Sequence, residues 1–205
     1  MLDRSLLAWQ ESALGAPARW LSARGVSANA VTLCGFAVGI AAAGLIASRL
    51  YVWGLAAILA NRILDGLDGL VARTQGATDR GAFLDIALDF FIYAAVPFGF
   101  ALADPSANAL AGSALLLSFV GTGSSFLAFA VIAAKRGLSS TEFPQKGLYY
   151  LGGLTEGAET ILAFAAMCLW PSRFAVFAWI FAALAMITTI MRWWWGWRHF
   201  SERKS

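Results

Sequence analysis

The segment NAVTLCGFAVGIAAAGLIAS, from Asn29 to Ser48, contains no charged residue. A helix needs about 20 consecutive apolar residues to cross the hydrocarbon of a bilayer, and this segment has that length. Similar runs recur as far as the C-terminus, only 13% of the chain is charged, and the mean hydropathy is +0.69. Because a soluble domain usually carries about 25% charged residues, the sequence predicts an integral membrane protein.

Six apolar runs follow one another along the chain. Backbone groups in lipid must be hydrogen-bonded within the protein, and the runs lack the alternation of barrel strands, so they predict an all-α, polytopic bundle of six transmembrane helices. The predicted spans are 29–48, 50–72, 82–103, 107–134, 147–169 and 174–197. The longer polar connections are expected at Thr74–Arg80 and Lys135–Lys146. We expect residues 1–205 to form a single membrane domain, with the bundle at 29–197.

Basic residues fall mainly on one side of the predicted bundle. If the N-terminus is cytoplasmic, eleven of them lie inside and only Arg49 and Arg173 lie outside. The eleven are Arg4, Arg19, Arg24, Arg73, Arg80, Lys135, Arg136, Lys146, Arg198, Arg203 and Lys204. Such an excess is typical of cytoplasmic loops, so we expect a multi-pass protein of the inner membrane with both termini in the cytoplasm. The net charge of +3 follows from this bias and does not indicate nucleic-acid binding.

The first 24 residues lack the pattern of a signal peptide. Apolar residues recur there at helical spacing, among them Leu6, Trp9, Ala13 and Trp20, which predicts a helix over residues 1–24. Two placements fit this pattern: an interfacial amphipathic helix on the membrane lipids of the cytoplasmic leaflet, or a short solvated helix packed on the bundle.

Four aspartates interrupt the apolar pattern at the cytoplasmic ends of the second and third spans. Asp65 and Asp68 are three residues apart and Asp85 and Asp89 are four apart, so each pair shares a helix face. The short connection makes the two helices antiparallel neighbours, and the pairs are expected to converge. Each charge near the hydrocarbon costs about 3 kcal/mol. Hard divalent cations would balance such a cluster, and four carboxylates suit two ions of Mg²⁺ or Mn²⁺.

The alternative is a solvated helical hairpin with surface acids, which would spread the acids around each helix and balance them with nearby lysines. The residues between the acids are instead apolar, among them Leu67, Phe83 and Leu88. A functional site is therefore favoured, as for other clusters of acids within a membrane.

The same segment resembles the signature of the CDP-alcohol phosphotransferase family, D-x2-D-G-x2-A-R, a short loop, then G-x3-D-x3-D. All eight fixed positions are present, as Asp65, Asp68, Gly69, Ala72, Arg73, Gly81, Asp85 and Asp89. The resemblance implies a membrane enzyme that moves a substituted phosphate group from a CDP-linked alcohol, usually CDP-diacylglycerol, to an acceptor alcohol and releases CMP. It also implies that the active site faces the cytoplasm and that the protein forms a homodimer.

The resemblance assigns roles by position. Asp65, Asp68 and Asp85 would hold the metal ions, and Asp89 would complete the set and act as the general base. The residues expected to shape the CDP pocket are Gly69, Ala72, Arg73 and Gly81. Upstream, VSANAVT (Val26–Thr32) resembles the family segment P-N-x-x-T at Asn29 and Thr32. Those two residues would contact the nucleotide, or else Asn29 caps the first span.

Two glutamates and several basic residues are candidates for binding the acceptor. Glu156 and Glu159 lie three residues apart in the fifth predicted span, where carboxylates are expected to face the bundle interior. Lys135, Lys146 and Arg192 lie toward the cytoplasmic side and suit an acceptor phosphate. Because the two sets favour different acceptors, glycerol phosphate, serine, inositol phosphate, ethanolamine and a lipid alcohol all stay open.

Two arginines within the predicted spans and one stretch of small residues carry further predictions. Arg62, one turn before Asp65, is expected to pair with an aspartate or to bind an acceptor phosphate, whereas Arg192 fits snorkelling to the interface equally well. The small residues of Val120–Ala130 predict close helix packing, inside the bundle or at a dimer seam.

An ion or proton transporter is the alternative from another functional class, because carboxylates in membranes also mark ion pathways. Transporters place such groups near the midplane, often between repeated halves. Here the acids lie at one edge and no internal repeat is visible, so the enzyme is favoured.

Overall fold

The computed structural model describes residues 2–137, 155 and 157–201, with side chains from residue 11 onward. Over these residues the chain is helical and has no strand, so the predicted all-α class is confirmed. A short 3₁₀ helix, Pro171–Arg173, precedes the last α-helix. The α-helices of the described residues are α1 (Leu2–Ala23), α2 (Ala28–Ala47), α3 (Tyr51–Gln75), α4 (Asp79–Ala103), α5 (Pro105–Lys135), α6 (Gly157–Leu169) and α7 (Phe174–His199).

Four of these helices are long and apolar enough to cross a membrane: α2, α4, α5, and α7 with the 3₁₀ turn before it. The ends of α2, α3, α4, α5 and α7 lie within three residues of the predicted spans. α3 has 25 residues, but Asn61, Arg62 and two aspartates make it more polar than these four. α6 has 13 residues, and the span predicted at 147–169 begins outside the described residues. The chain is thus an integral membrane protein, while the count of six spans stays a prediction.

Hydroxyl side chains cap the N-terminal ends of α2 and α4. Ser27 accepts a hydrogen bond from the backbone nitrogen of Ala30, and Thr78 accepts one from that of Gly81. Each hydroxyl satisfies an amide that would otherwise lack a partner in the first turn. Since Ser27 caps α2, the interpretation of Asn29 as the cap is wrong.

The connection between α3 and α4 is shorter than the predicted loop Thr74–Arg80, because only residues 76–78 lie outside the helices. Thr74 continues α3, and its hydroxyl donates to the carbonyl of Val71 at 2.8 Å. Gly76 then ends the helix with a φ of 94°, a conformation that glycine adopts without steric cost. This short connection holds the end of α3 and the start of α4 at the same end of the bundle.

α3 and α4 each pack along α2, whereas they make few contacts with one another. Small residues allow this approach. A Cβ at Gly99 of α4 would lie 2.6 Å from the carbonyl oxygen of Ala43, and one at Gly54 of α3 would lie 2.6 Å from the side chain of Ile46. The expected antiparallel neighbours α3 and α4 therefore pack more on α2 than on each other. They run antiparallel on either side of a cleft, and Gly54 and Gly99 allow both to approach α2 closely.

The main hydrophobic core lies toward the opposite end of the bundle. Phe100 stacks on both Tyr51 and Phe174, with ring centroids 5.6 Å and 4.5 Å apart. At this end the Nε atom of Arg49 donates to the carbonyl oxygen of Ala103 at 2.9 Å, which ties the α2–α3 turn to the end of α4. The main apolar core and the acids thus occupy different halves of the molecule.

α1 packs on the acid-bearing half. Ala18 is buried in a cluster with Leu70 and Val71 of α3, and the hydroxyls of Ser22 and Thr74 lie 2.8 Å apart. The helix predicted over residues 1–24 is confirmed. Its packing agrees with the placement on the bundle, and its relation to the lipid surface stays a prediction.

Two glycines of the stretch Val120–Ala130, at positions 121 and 123, pack against neighbouring helices. A Cβ at Gly123 would lie 2.8 Å from the ring of Phe90 on α4, and one at Gly121 would lie 3.0 Å from the hydroxyl of Thr189 on α7. The predicted close packing is therefore explained within one chain.

Candidate active site

Three aspartates meet where α3 ends and α4 begins. Asp65 and Asp68 come from α3 and Asp85 comes from α4, and one carboxylate oxygen of each lies within 4.8 Å of the others. The three-residue spacing places Asp65 and Asp68 on one face of α3, and Asp68 is buried, with 6% of its surface exposed. The predicted convergence is confirmed for these three residues, which we call the aspartate triad.

Asp89 lies beside the triad and is held by Arg62. Nη2 of Arg62 donates to Oδ1 of Asp89 at 2.6 Å, and Nη1 donates to Oδ2 at 3.3 Å. Nη1 also lies 3.5 Å from Oδ2 of Asp65. The expectation that Arg62 pairs with an aspartate is confirmed, and its guanidinium bridges the two acid-bearing helices.

Arg62 is fixed in place by its neighbour Asn61. Nε and Nη2 of Arg62 donate to Oδ1 of Asn61 at 3.0 Å and 2.8 Å, and Nδ2 of Asn61 donates to the carbonyl oxygen of Gly35 at 2.8 Å. The hydroxyl of Tyr93 accepts a further hydrogen bond from Nη1 at 3.3 Å. The guanidinium is therefore positioned by groups from α2, α3 and α4.

The acids line the cleft between α3 and α4, and α2 forms its base. The lining residues are Thr32, Gly35, Phe36, Asn61, Asp65, Asp68, Asp85, Leu88, Asp89 and Ile92. Sequence reasoning identified the acids and Thr32 but missed Asn61 and Tyr93. An amide directly before an arginine in an apolar span was the available signal for Asn61. Nothing in the sequence separated Tyr93, or the apolar lining, from residues that pack elsewhere.

Asn29 and Gly81, both expected in the CDP pocket, lie against each other. A Cβ at Gly81 would lie 3.1 Å from Oδ1 of Asn29 and 3.2 Å from Oγ1 of Thr78. Glycine at this position lets the first turn of α4 approach the first turn of α2. The two signature segments are thus brought together at the end of the bundle where the acids lie.

The other residues expected in the CDP pocket lie on α3. Gly69 is open: a Cβ there would meet no heavy atom within 4 Å. Ala72 is half-buried, and Arg73 is exposed in the last turn of the helix. Packing within the protein therefore does not explain glycine at position 69, and the open space beside it is available to a ligand.

The start of α6 approaches the acid-bearing cleft. A Cβ at Gly157 would lie 3.6 Å from the hydroxyl of Tyr93, the same hydroxyl that contacts Arg62. Glu159, predicted to bind the acceptor, is half-buried in the first turn of α6. The structure thus places the helix that carries Glu159 on the Tyr93 side of the site.

The other residues predicted to bind the acceptor are not brought to the triad by any described contact. Lys135 is exposed as the last residue of α5. Nη1 of Arg192 donates to the carbonyl oxygen of Thr122 on α5 at 3.1 Å. Glu156 and Lys146 lie outside the described residues.

The aspartate triad fits a hard divalent cation. Its donors are all carboxylate oxygens, which Mg²⁺ and Mn²⁺ prefer, and the three are close enough to one another to share an ion. The cleft beside them is open to a further ligand, and a bound cation would attract phosphate oxygens into it. The arrangement therefore suits the binding of a metal together with a phosphate group.

Comparison with known proteins agrees with this site. The family model for CDP-alcohol phosphatidyltransferase matches residues 25–194. The chain is 53% identical to the inner membrane protein YnjF of Escherichia coli K12 over 196 residues, which cover 96% of this chain and 95% of that protein. It is 40% identical to the phosphatidylinositol phosphate synthase of Streptomyces avermitilis over 104 residues, which cover 50% of this chain and 43% of that enzyme.

Solved structures share the fold. The phosphatidylinositol phosphate synthase of Mycobacterium tuberculosis with CDP-DAG bound superposes with a TM-score of 0.68 at 23% identity, over 95% of this chain and all of that one. The same enzyme in complex with manganese and citrate gives a TM-score of 0.68 at 24% identity, over 88% and 87% of the two chains. With most of its length matched by the family model, the chain belongs to the CDP-alcohol phosphatidyltransferase family.

Proposed function

We propose that this protein transfers a phosphatidyl group from CDP-diacylglycerol to the hydroxyl of an acceptor alcohol and releases CMP. The observation that carries the proposal is the aspartate triad, which lies in an open cleft and belongs to the family signature. The Mycobacterium tuberculosis enzyme of the same fold binds CDP-DAG in its crystal structure, which supports this donor. Family membership favours a transferase over an ion transporter.

Asp65, Asp68 and Asp85 are proposed to hold a divalent cation, Mg²⁺ or Mn²⁺, and Asp89 is proposed to contribute to a second. Bound there, the ions would neutralise charge on the phosphate oxygens during the displacement. The manganese complex of the Mycobacterium tuberculosis enzyme supports this choice of metal.

Asp89 is proposed as the general base. The acceptor oxygen forms a bond to the phosphorus nearest the lipid, the bond between that phosphorus and the CMP oxygen breaks, and the proton of the acceptor hydroxyl passes to Asp89. A positioned base typically contributes about 10²–10⁴-fold to the rate. Arg62 orients Asp89 through both carboxylate oxygens, and each oxygen keeps a lone pair that can accept the proton.

The CDP moiety is proposed to lie along the start of α2 and the end of α3. The open position at Gly69 supports this, because the donor can approach the α3 backbone there without displacing a side chain. The other residues proposed to contact the nucleotide are Asn29, Thr32, Ala72, Arg73 and Gly81.

The acceptor is proposed to bind on the α6 side of the cleft. The closeness of Gly157 to the hydroxyl of Tyr93 supports this side, because that hydroxyl contacts the guanidinium that holds Asp89. The residues proposed to bind the acceptor are Lys135, Lys146, Glu156, Glu159 and Arg192.

We further propose six transmembrane spans in a single domain, with α1 at the cytoplasmic leaflet, both termini and the active site facing the cytoplasm, and a homodimer. The basic residues at one end of the bundle support this orientation. The ends of α5 and α7 lie together there, since Nη2 of Arg136 donates to the carbonyl oxygen of Phe200 at 2.9 Å.

Purified protein incubated with CDP-diacylglycerol, Mg²⁺ or Mn²⁺ and single acceptors tests the function. The acceptors are glycerol phosphate, serine, inositol, inositol phosphate, ethanolamine and phosphatidylglycerol. We expect CMP release with one of them, and none when the metal is removed by chelation. An absence of CMP with every acceptor, in protein that binds Mn²⁺ and is folded, would contradict the transferase.

A further inference from the structure

The four signature aspartates are not equivalent in their surroundings. Asp65, Asp68 and Asp85 have mutually close oxygens, whereas both oxygens of Asp89 accept hydrogen bonds from Arg62. A cation that takes Asp89 as a ligand must therefore share those oxygens with a guanidinium or displace it. A cation on the triad is near that guanidinium only at Asp65, whose Oδ2 lies 3.5 Å from Nη1 of Arg62.

Several contacts hold the side chain of Arg62 in this position. Its side chain is 17% exposed, and Asn61 accepts two of its hydrogen bonds while being tied itself to the backbone of α2. The guanidinium carbon also lies 5.5 Å from the ring centroid of Tyr93, within the range of a cation–π contact. Displacing Arg62 from Asp89 would leave a largely buried cation with only its longer contact to Asp65, at 3.5 Å, which is costly.

The net charge of the cluster also makes a second cation less favourable than a first. The four aspartates and Arg62 together carry three net negative charges when the acids are ionised. One divalent cation would leave a single negative charge, and a second would make the cluster positive. A first ion is therefore strongly attracted, whereas a second is opposed by both the charge and the contacts of Arg62.

We propose that Arg62 acts as a positioning residue that makes the two cation sites unequal: the triad takes the first ion with Asp89 still held by Arg62, and a second ion binds only in competition with Arg62. This rests on the metal binding in the proposed function, but it does not require that any acceptor be turned over. Arg62, which lies outside the family signature, would thereby control how many metal ions are bound.

Mn²⁺ alone is the probe, with the bound number per chain counted from the loss of the free-ion electron paramagnetic resonance signal. The wild type is expected to bind one Mn²⁺ with at least about tenfold higher affinity than a second, since the second ion must compete with Arg62 for Asp89 and is repelled by its charge. In Arg62→Gln the second ion should tighten about tenfold or more, and Arg62→Lys, which keeps the charge, should restore much of the difference. Arg49→Gln, with the same loss of charge at the other end of the bundle, should match the wild type.

Two equal sites in the wild type would overturn the proposal, as would an Arg62→Gln protein whose second site is unchanged or weaker. If Arg62→Gln does not fold, Asp89→Asn decides the matter. That variant should keep the first ion and lose the second, and loss of the first ion would contradict the proposal. Failure of CMP release with the expected Mn²⁺ pattern intact would count against the proposed reaction and not against the role of Arg62.

Discussion

Arg62 on α3 and Asp89 on α4 are joined by two hydrogen bonds, at 2.6 Å and 3.3 Å, across a cleft whose walls otherwise contact α2 more than each other. This ion pair links the helices that carry the signature aspartates. Because of this ion pair, Asp89 has different surroundings from the other three aspartates.

Asp89→Asn should abolish most turnover while donor and first-ion binding persist. An amide still accepts one hydrogen bond from Arg62 but cannot take the acceptor proton, so CMP release should fall about 10²–10⁴-fold. Donor binding is measured as thermal stabilisation by CDP-diacylglycerol with Mg²⁺. Asp79→Asn, an exposed acid in the first turn of the same helix, is the control. Near-normal turnover in Asp89→Asn would place the base elsewhere.

Asp68→Asn should weaken Mn²⁺ binding itself. Asp68 is the most buried acid of the triad, with 6% exposure, and the substitution removes one of the charges that attract the ion. We expect the first Mn²⁺ affinity to fall about tenfold or more, as measured by the free-ion resonance signal. If Asp68→Asn and Asp89→Asn impair the first ion equally, the four acids form one undivided site.

Gly69→Ala should leave the unliganded protein intact and impair donor binding. A Cβ at Gly69 meets no atom of the protein, and alanine is favoured over glycine in a helix by about 1 kcal/mol. A methyl group forced against a closely packed donor costs about 1–3 kcal/mol, so affinity for CDP-diacylglycerol should fall.

Gly44→Ala is the matched control for Gly69→Ala, because Gly44 is also helical and its Cβ position is also open. Both variants should melt at or above the wild-type temperature, and only Gly69→Ala should bind CDP-diacylglycerol more weakly. Equal donor affinities in the two variants would show that the donor does not approach Gly69.

The proposed topology predicts which engineered cysteines react with an impermeant maleimide in intact cells. Ser48→Cys and Ser172→Cys should react from outside, since they lie at the end of the bundle closed by Arg49, whereas Ala77→Cys in the α3–α4 connection should not. The unsubstituted chain gives the background, because Cys34 and Cys168 lie within proposed spans. Labelling of Ala77→Cys from outside would invert the orientation.

Helix positions were largely predictable from the sequence because turn residues interrupt the apolar runs. The break after Ala47 and the one at Asp104 were expected where they occur. The end of α3 and the start of α4 each lie three residues beyond the predicted span, because Thr74 satisfies its hydroxyl within the helix and Thr78 provides a cap. Such local hydrogen bonds extend helices into a stretch that composition marks as a loop.

The acids of the site were predictable, since their spacing places them on shared helix faces. The separation of Asp89 from the other three acids was not predictable. Which acid pairs with Arg62 depends on how α3 and α4 are rotated about α2, and that rotation is set by close contacts such as Gly99 with Ala43. Asn61, which fixes the arginine through the carbonyl of Gly35, depends on the same packing.

The pairing of Arg62 with Asp89 also bears on how the chain enters the membrane during synthesis. Both residues belong to the helical hairpin of α3 and α4, whose connection is only residues 76–78, so little loop-closure entropy opposes their meeting. An ionised side chain near the bilayer interior costs about 3 kcal/mol during insertion. Because the arginine and its partner are translated before α5, α6 and α7, the hairpin carries its own neutralising contact and does not depend on the later helices to offset that cost.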